Sequence, residues 1–224
     1  MQIDFAAKEL TLKLVYYGPA LGGKTSNLKA IHWLSTSRAC EDLMTLETKN
    51  DRTLFFDMLP MTIGLDDGLR IRFKLFTVPG QVMHNATRRL VLQAADGVAF
   101  IADSQRNEAE ANRESFLNLK QNLEDNGIDP SRLPIVIQFN KRDLTDIRSD
   151  EELDTLATRS REPIYKAIAT RGYGVMQTLR GLIERTWSVL ERDHQLEDKL
   201  GISPARFMRE IDANLKNQLD RRAP

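Results

Sequence analysis

The chain has 224 residues, with 32 Lys and Arg against 32 Asp and Glu, so its formal net charge is zero and a general nucleic-acid binder is excluded. Hydrophobic residues make up 41% and charged residues 29%, which is the balance of a globular protein rather than a disordered one, and the length suits one domain with a substantial addition. A single cysteine, Cys40, allows neither an internal disulfide nor a Cys-rich zinc site, and no signal core or run of roughly 18 apolar residues appears, so a reducing, cytoplasmic setting is expected.

Residues 10–17 (LTLKLVYY) predict a buried strand, and Leu28, Ile31 and Leu34 lie at helical spacing within 25–34. Residues 52–59 (RTLFFDML) and 69–78 (LRIRFKLFTV) predict two strands. In the second, Leu69, Ile71, Phe73 and Leu75 alternate with Arg70, Arg72 and Lys74. The turn residues 64–68 (GLDDG) between them predict an antiparallel hairpin. A helix is expected over 82–95 and a buried strand over 97–103. The next helix, 108–126, carries Phe116, Leu119 and Leu123 and is stopped by Gly127. A strand at 134–140, a polar helix at 150–158, a strand at 164–169 and a long helix from Val175 complete the series. Strand followed by helix, repeatedly, predicts an α/β fold: a mostly parallel sheet with one antiparallel strand and helices on both faces. Ligands of such sheets bind beyond the carboxyl ends of the strands.

The first strand ends in Gly18-Pro19-Ala20-Leu21-Gly22-Gly23-Lys24-Thr25, the pattern G-x-x-x-x-G-K-T. Glycines let backbone N–H groups ring a phosphate. Lys24 would reach the β- and γ-phosphates, the Thr25 hydroxyl would bind Mg²⁺, and the following helix offers its N-terminus to the anion. The strand at 134–139 ends in Asn140-Lys141-Arg142-Asp143, an N-K-x-D element. A carboxylate at Asp143 can accept from both guanine N1–H and the 2-amino group, a donor pair that adenine lacks. Lys141 would lie along the base, and Asn140 would tie this loop to the phosphate loop. An ATP-using enzyme conflicts with this element.

These motifs, with Gly80-Gln81 after the third strand, resemble Ras-type small GTPases. The strings 15–19 (VYYGP), 52–57 (RTLFFD) and 77–82 (TVPGQV) are similar to the bacterial mutual gliding-motility polarity GTPases, over about residues 1–190. The resemblance implies a Ras-like G domain over 1–189 and a switch that binds partners when loaded with GTP and is reset by hydrolysis to GDP. It also implies a cytoplasmic, polarly localised protein. Its partners would be a homodimeric roadblock-type regulator that activates hydrolysis, and downstream polarity or motility effectors. Gln81 would position the attacking water, and Arg52 would act as an arginine finger within the same chain. Thr53 would close on Mg²⁺ and the γ-phosphate. The loop 167–172 (AIATRG) would offer the Ala169 N–H to guanine O6, with Thr170 beside it. The expected nucleotide contacts are Gly18, Ala20, Leu21, Gly22, Gly23, Lys24, Thr25, Ser26, Thr53, Gly80, Asn140, Lys141, Asp143, Ala169 and Thr170. Thr77 stands where Ras-like proteins carry an Mg²⁺-directed Asp, so the metal depends on Thr25, Thr53 and the phosphates. Asp57 is the nearest acidic substitute, unless it pairs with a neighbouring Arg. A non-hydrolytic guanine-nucleotide sensor acting as a scaffold is the alternative reading.

His32, His84 and His194 show no metal-ligand spacing, and Trp33 and Trp187 read as packing residues. The addition, 190–224, begins as a continuation of the helix through 185–199. Gly201 breaks it, and Ser203 and Pro204 open another helix with Phe207, Met208, Ile211, Leu215 and Leu219 on one stripe. That stripe suits either the domain's own surface or a partner. Seven basic and seven acidic residues balance in this segment, and no lipidation motif ends it, so no membrane anchor is expected.

Overall fold

A computed structural model describes residues 1–35, 40–46, 56–65, 67–80 and 84–219. Its strands, in chain order, are β1 (Gln2–Asp4), β2 (Glu9–Tyr17), β3 (Met44–Leu46), β4 (Phe56–Gly64), β5 (Arg70–Thr77), β6 (Gly97–Asp103), β7 (Ile135–Asn140) and β8 (Ile164–Lys166). They form one sheet in the order β3-β4-β5-β2-β6-β7-β8, with β1 hydrogen-bonded to β2. Strands β5, β2, β6, β7 and β8 run parallel. Strand β4 runs against its neighbours on both sides, as the hairpin pattern requires. The short β1 also runs against β2, a pairing outside the expected set.

The helices are α1 (Lys24–Leu34), α2 (Asn85–Leu92), α3 (Ala109–Asp125), α4 (Asp150–Arg159), α5 (Val175–His194), α6 (Leu196–Leu200) and α7 (Pro204–Leu219). Burial on both faces explains why β2 and β6 read as apolar runs. On one face Leu10, Leu12, Leu14 and Tyr16 pack with Leu28 and Ile31 of α1 and Leu179 and Leu182 of α5. On the other, Val15 and Tyr17 meet Val91 and Leu92 of α2 and Leu119 and Leu123 of α3. The alternation in β5 holds: Ile71, Phe73 and Leu75 are buried, and Arg70 is exposed.

Several boundaries differ from the sequence pattern. Strand β4 runs on through Pro60 to Gly64, leaving a tight turn closed by Leu65 N–H to the Leu69 carbonyl at 2.8 Å. Pro60 is tolerated because its carbonyl accepts from the Glu41 N–H at 3.1 Å on the outer edge beyond β3, so its nitrogen points the same way and the β4–β5 ladder loses no bond. Strand β8 stops at Lys166, and the chain turns through a 3₁₀ segment, Ala169–Arg171. Helix α5 does not run through 199. Gln195 takes a left-handed conformation, φ 52°, and the chain folds back so that Leu196 is fully buried. Trp33 is 54% exposed and is therefore not a core residue.

The addition packs on its own domain. Ser203 Oγ accepts from Arg206 N–H at 3.3 Å to open α7. Leu196, Ile202, Phe207, Ile211 and Leu215 join the cluster of β2, α1 and α5. Phe207 stacks on Trp187 with ring centroids 3.7 Å apart and planes at 11°. Arg180 of α5 holds Asp212 through two bonds, 2.5 and 3.0 Å, and Arg206 pairs with Asp67 of the β4–β5 turn at 3.1 Å. Phe207→Ala removes a fully buried ring and is expected to destabilise the fold by about 3–5 kcal/mol, read by urea denaturation. A loss below about 1 kcal/mol would show that α7 is not part of the cooperative core.

Candidate nucleotide-binding site

The carboxyl ends of β2, β5, β7 and β8, with the amino end of the antiparallel β4, converge on two joined regions. The first is a cleft of about 880 Å³ lined by Ala20, Leu21, Gly23, Lys24, Thr25, Ser26, Thr45, Asp57, Gly80 and His84, among others. Strand β2 delivers the loop 18–23 to the N-terminus of α1. Gly23 stands at φ 100°, and a Cβ there would sit 2.1 Å from Asn140 Nδ2, so both conformation and space require glycine. Leu21 is also left-handed, φ 58°, and 88% exposed.

The second region is built by the loops after β7 and β8. Asn140 Nδ2 donates to the Gly22 carbonyl at 2.9 Å, and its Oδ1 accepts from the Ala169 N–H at 2.9 Å. One buried side chain thus joins three loops. The Ala169 amide is committed to Asn140 here, which leaves Thr170 as the neighbouring backbone position. Lys141 Nζ pairs with the buried Asp103 at 2.5 Å, and Asp143 lies 3.8 Å from Arg171. Beneath these loops Gln138 donates to Asn27 at 3.0 Å and to Thr178 at 2.8 Å, and accepts from Asn27 at 2.8 Å. This fully paired network fixes α1, β7 and α5 to one another under the site. Sequence reading missed it, although one Gln inside the apolar run 134–140 was a signal.

Lys24 is 7% exposed, and its ammonium donates to the Gly18 and Pro19 carbonyls at 3.0 and 2.6 Å. Burial, and then the charge of Arg88, push its pKa down to about 7. Asp57 lies across the same cleft, 8% exposed. It accepts from the hydroxyls of Thr25 at 2.6 Å, Thr45 at 3.0 Å and Thr77 at 3.1 Å. Its own N–H donates to Thr77 Oγ1 at 2.8 Å. Among the described residues neutral hydroxyls, rather than an arginine, surround it. Thr45 belongs to this cluster and was not expected, because β3 is too short to announce itself.

A buried carboxylate ringed by hydroxyls offers hard oxygen donors, which fit Mg²⁺. Among the described residues no group of three or more His, Cys, Asp or Glu side chains is placed to hold a metal. Among the described residues the site therefore offers one carboxylate and hydroxyl oxygens rather than a set of charged ligands. Arg52, Thr53 and Gln81 lie outside the described residues.

No family model matches the chain. Among curated proteins it is similar to the mutual gliding-motility protein MglA of Myxococcus xanthus (strain DK1622), at 43% identity over 190 residues. The match covers 85% of this chain and 97% of that protein.

Proposed function

Because the chain belongs to the family of the mutual gliding-motility protein MglA, we propose that it is a Ras-like guanine-nucleotide switch that binds GTP with Mg²⁺ and hydrolyses it to GDP. The observation that carries this reading is Asn140, which laces the phosphate loop, the N-K-R-D loop and the loop of Ala169 into one site. Asp143 would read the guanine edge, and Lys24 would turn from its loop carbonyls to the phosphates. Thr25 and Asp57, with Thr53, would hold Mg²⁺, which when bound draws charge from the phosphate oxygens. Gln81 would orient water, and Arg52 would stabilise the transferring phosphoryl group. Turnover is slow until a roadblock-type dimer engages the protein, and polarity or motility effectors in the cytoplasm read the GTP-bound form.

A single-turnover GTPase assay with and without regulator tests the reading. Arg52→Ala is expected to lower the stimulated rate by about 10³–10⁵-fold, and Gln81→Ala to lower it as well. Equal, slow turnover in all three proteins would leave only a non-hydrolytic sensor.

Proton linkage gives a second check. With its pKa near 7, Lys24 is mostly neutral at about pH 8 in the free protein, and phosphate anions beside it would favour the charged form. Binding should therefore take up close to one proton at that pH, and affinity should fall as pH rises from about 7 to 9. Calorimetry in two buffers of different ionisation enthalpy measures this uptake. A binding enthalpy independent of the buffer contradicts it.

A further inference from the structure

Arg88, on α2, belongs to none of the motifs above, yet it is only 2% exposed. Its guanidinium is met by neutral acceptors. Nε donates to the Pro79 carbonyl at 2.9 Å and Nη1 to Asn118 Oδ1 at 2.7 Å. Nη2 donates to the Gly80 carbonyl, and the Tyr17 ring lies 5.6 Å away. Desolvating a guanidinium for contacts of this kind is costly, so the arrangement needs a reason beyond packing.

That reason lies in what the two carbonyls do. The Gly80 peptide rests directly on the phosphate loop: a Cβ at Gly80 would sit 2.4 Å from Ala20 Cα and 3.1 Å from Lys24 Nζ. It therefore covers the tip of Lys24, whose ammonium is turned to Gly18 and Pro19. The anchor behind Arg88 is itself fixed. Asn118 Oδ1 accepts from the Tyr17 hydroxyl at 2.6 Å and from Asn122 at 3.0 Å. Asn85 Oδ1 accepts from Asn118 at 3.1 Å and from Asn122 at 2.8 Å. Tyr17 immediately precedes the phosphate loop, so β2, α2 and α3 hold the guanidinium from three sides.

We propose that Arg88 is a positioning residue that holds the Pro79–Gly80 peptide down on the phosphate loop, so that a nucleoside triphosphate must displace this contact to reach Lys24. This rests on reading the loop as the nucleotide site. On that reading Lys24 would reach both the β- and the γ-phosphate, and a third phosphate beside Ala20 would need the room that the Gly80 peptide fills, so the latch opposes triphosphate more than diphosphate. A contact that differs between two states shifts their balance, and one that is the same in both shifts nothing.

The test uses the full chain with Arg88→Met, which keeps the aliphatic stem, and Arg88→Lys, which keeps the charge and part of the donor capacity. In Arg88→Met the affinity for a non-hydrolysable GTP analogue relative to GDP should rise about tenfold or more, with Arg88→Lys intermediate and GDP affinity nearly unchanged. If Arg88 were only a structural brace, both nucleotides would weaken together or the ratio would stay put, and either result overturns the proposal. A shift toward GDP overturns it as well. Hydrogen–deuterium exchange on the nucleotide-free protein supplies an independent readout. Amides in 77–80 and 18–24 should exchange faster in Arg88→Met while those of α5 do not change; unaltered exchange at these sites overturns the latch. A wild-type chain that bound neither guanine nucleotide would sink the switch reading instead, while the exchange comparison would still decide the role of Arg88.

Discussion

Replacing Asp143 with alanine is expected to weaken guanine-nucleotide binding by on the order of 10³–10⁴-fold while leaving the fold intact. On the proposed reading the carboxylate accepts two hydrogen bonds from guanine, and its removal leaves those donors without a protein partner. The loop that carries it does not depend on it. Asn140 is held by Gly22 and Ala169, and Lys141 by Asp103. Arg142 donates to the Arg148 carbonyl at 2.6 Å and pairs with Asp150 at 2.7 Å. The ion pair of Asp143 with Arg171, at 3.8 Å, is long and largely exposed, so little stability is lost with it. Competition between GTP and ATP measures the effect. Asp143→Asn adds a sharper arm, because its amide can donate to a base that carries a carbonyl where guanine carries the 2-amino group. Xanthosine nucleotides should then bind better than guanosine nucleotides. A variant that keeps wild-type preference for GTP would mean that the base is read elsewhere.

The second large effect is expected at Asp57. In Asp57→Ala the Mg²⁺ concentration needed for half-maximal GTP binding should rise on the order of 10–100-fold, the range for removing an outer-sphere carboxylate. The hydroxyls of Thr25, Thr45 and Thr77 would all lose their common acceptor, so part of any loss could be structural. Asp57→Asn separates the two. It keeps the shape and an acceptor oxygen but not the charge, and it should retain most of the fold stability while still showing most of the rise in the Mg²⁺ midpoint. A titration midpoint unchanged in both variants would remove Asp57 from the metal site and leave Thr25, Thr53 and the phosphates as its whole support.

Much of this could be read before any coordinates, for identifiable reasons. The two-residue alternation in β5 and the apolar runs of β2, β6 and β7 report burial on one or both faces, and the glycine-rich string after β2 has few other uses. Strands of three residues, such as β1 and β3, carry no periodicity, and only their partners define them. The break at Gln195 also escaped notice, because the helical pattern on either side is good and the cause is tertiary: Leu196 turns back into the core. Polar groups in apolar stretches were the underused signal. Asp57 stands in a strand of Phe, Met and Leu, and Gln138 in one of Ile, Val and Phe. Each is the buried centre of a hydrogen-bonded cluster at the site. Arg88 gave no such warning, since an arginine on a polar helix face looks solvated until α3 is packed over it. The roles of Arg52, Thr53 and Gln81 rest on family likeness, because these residues lie outside the described part of the chain.

The stack of Phe207 on Trp187 also equips the protein with an optical probe. The chain has two tryptophans, and they sit in opposite surroundings: Trp187 is 1% exposed beneath α7, whereas Trp33 on α1 is 54% exposed. Emission from Trp187 should be blue-shifted and inaccessible to iodide, and that from Trp33 red-shifted and quenchable. In a Trp33→Phe background the remaining fluorescence reports on one event, the seating of the C-terminal helix, so its attachment can be followed in solution at each stage of a nucleotide cycle.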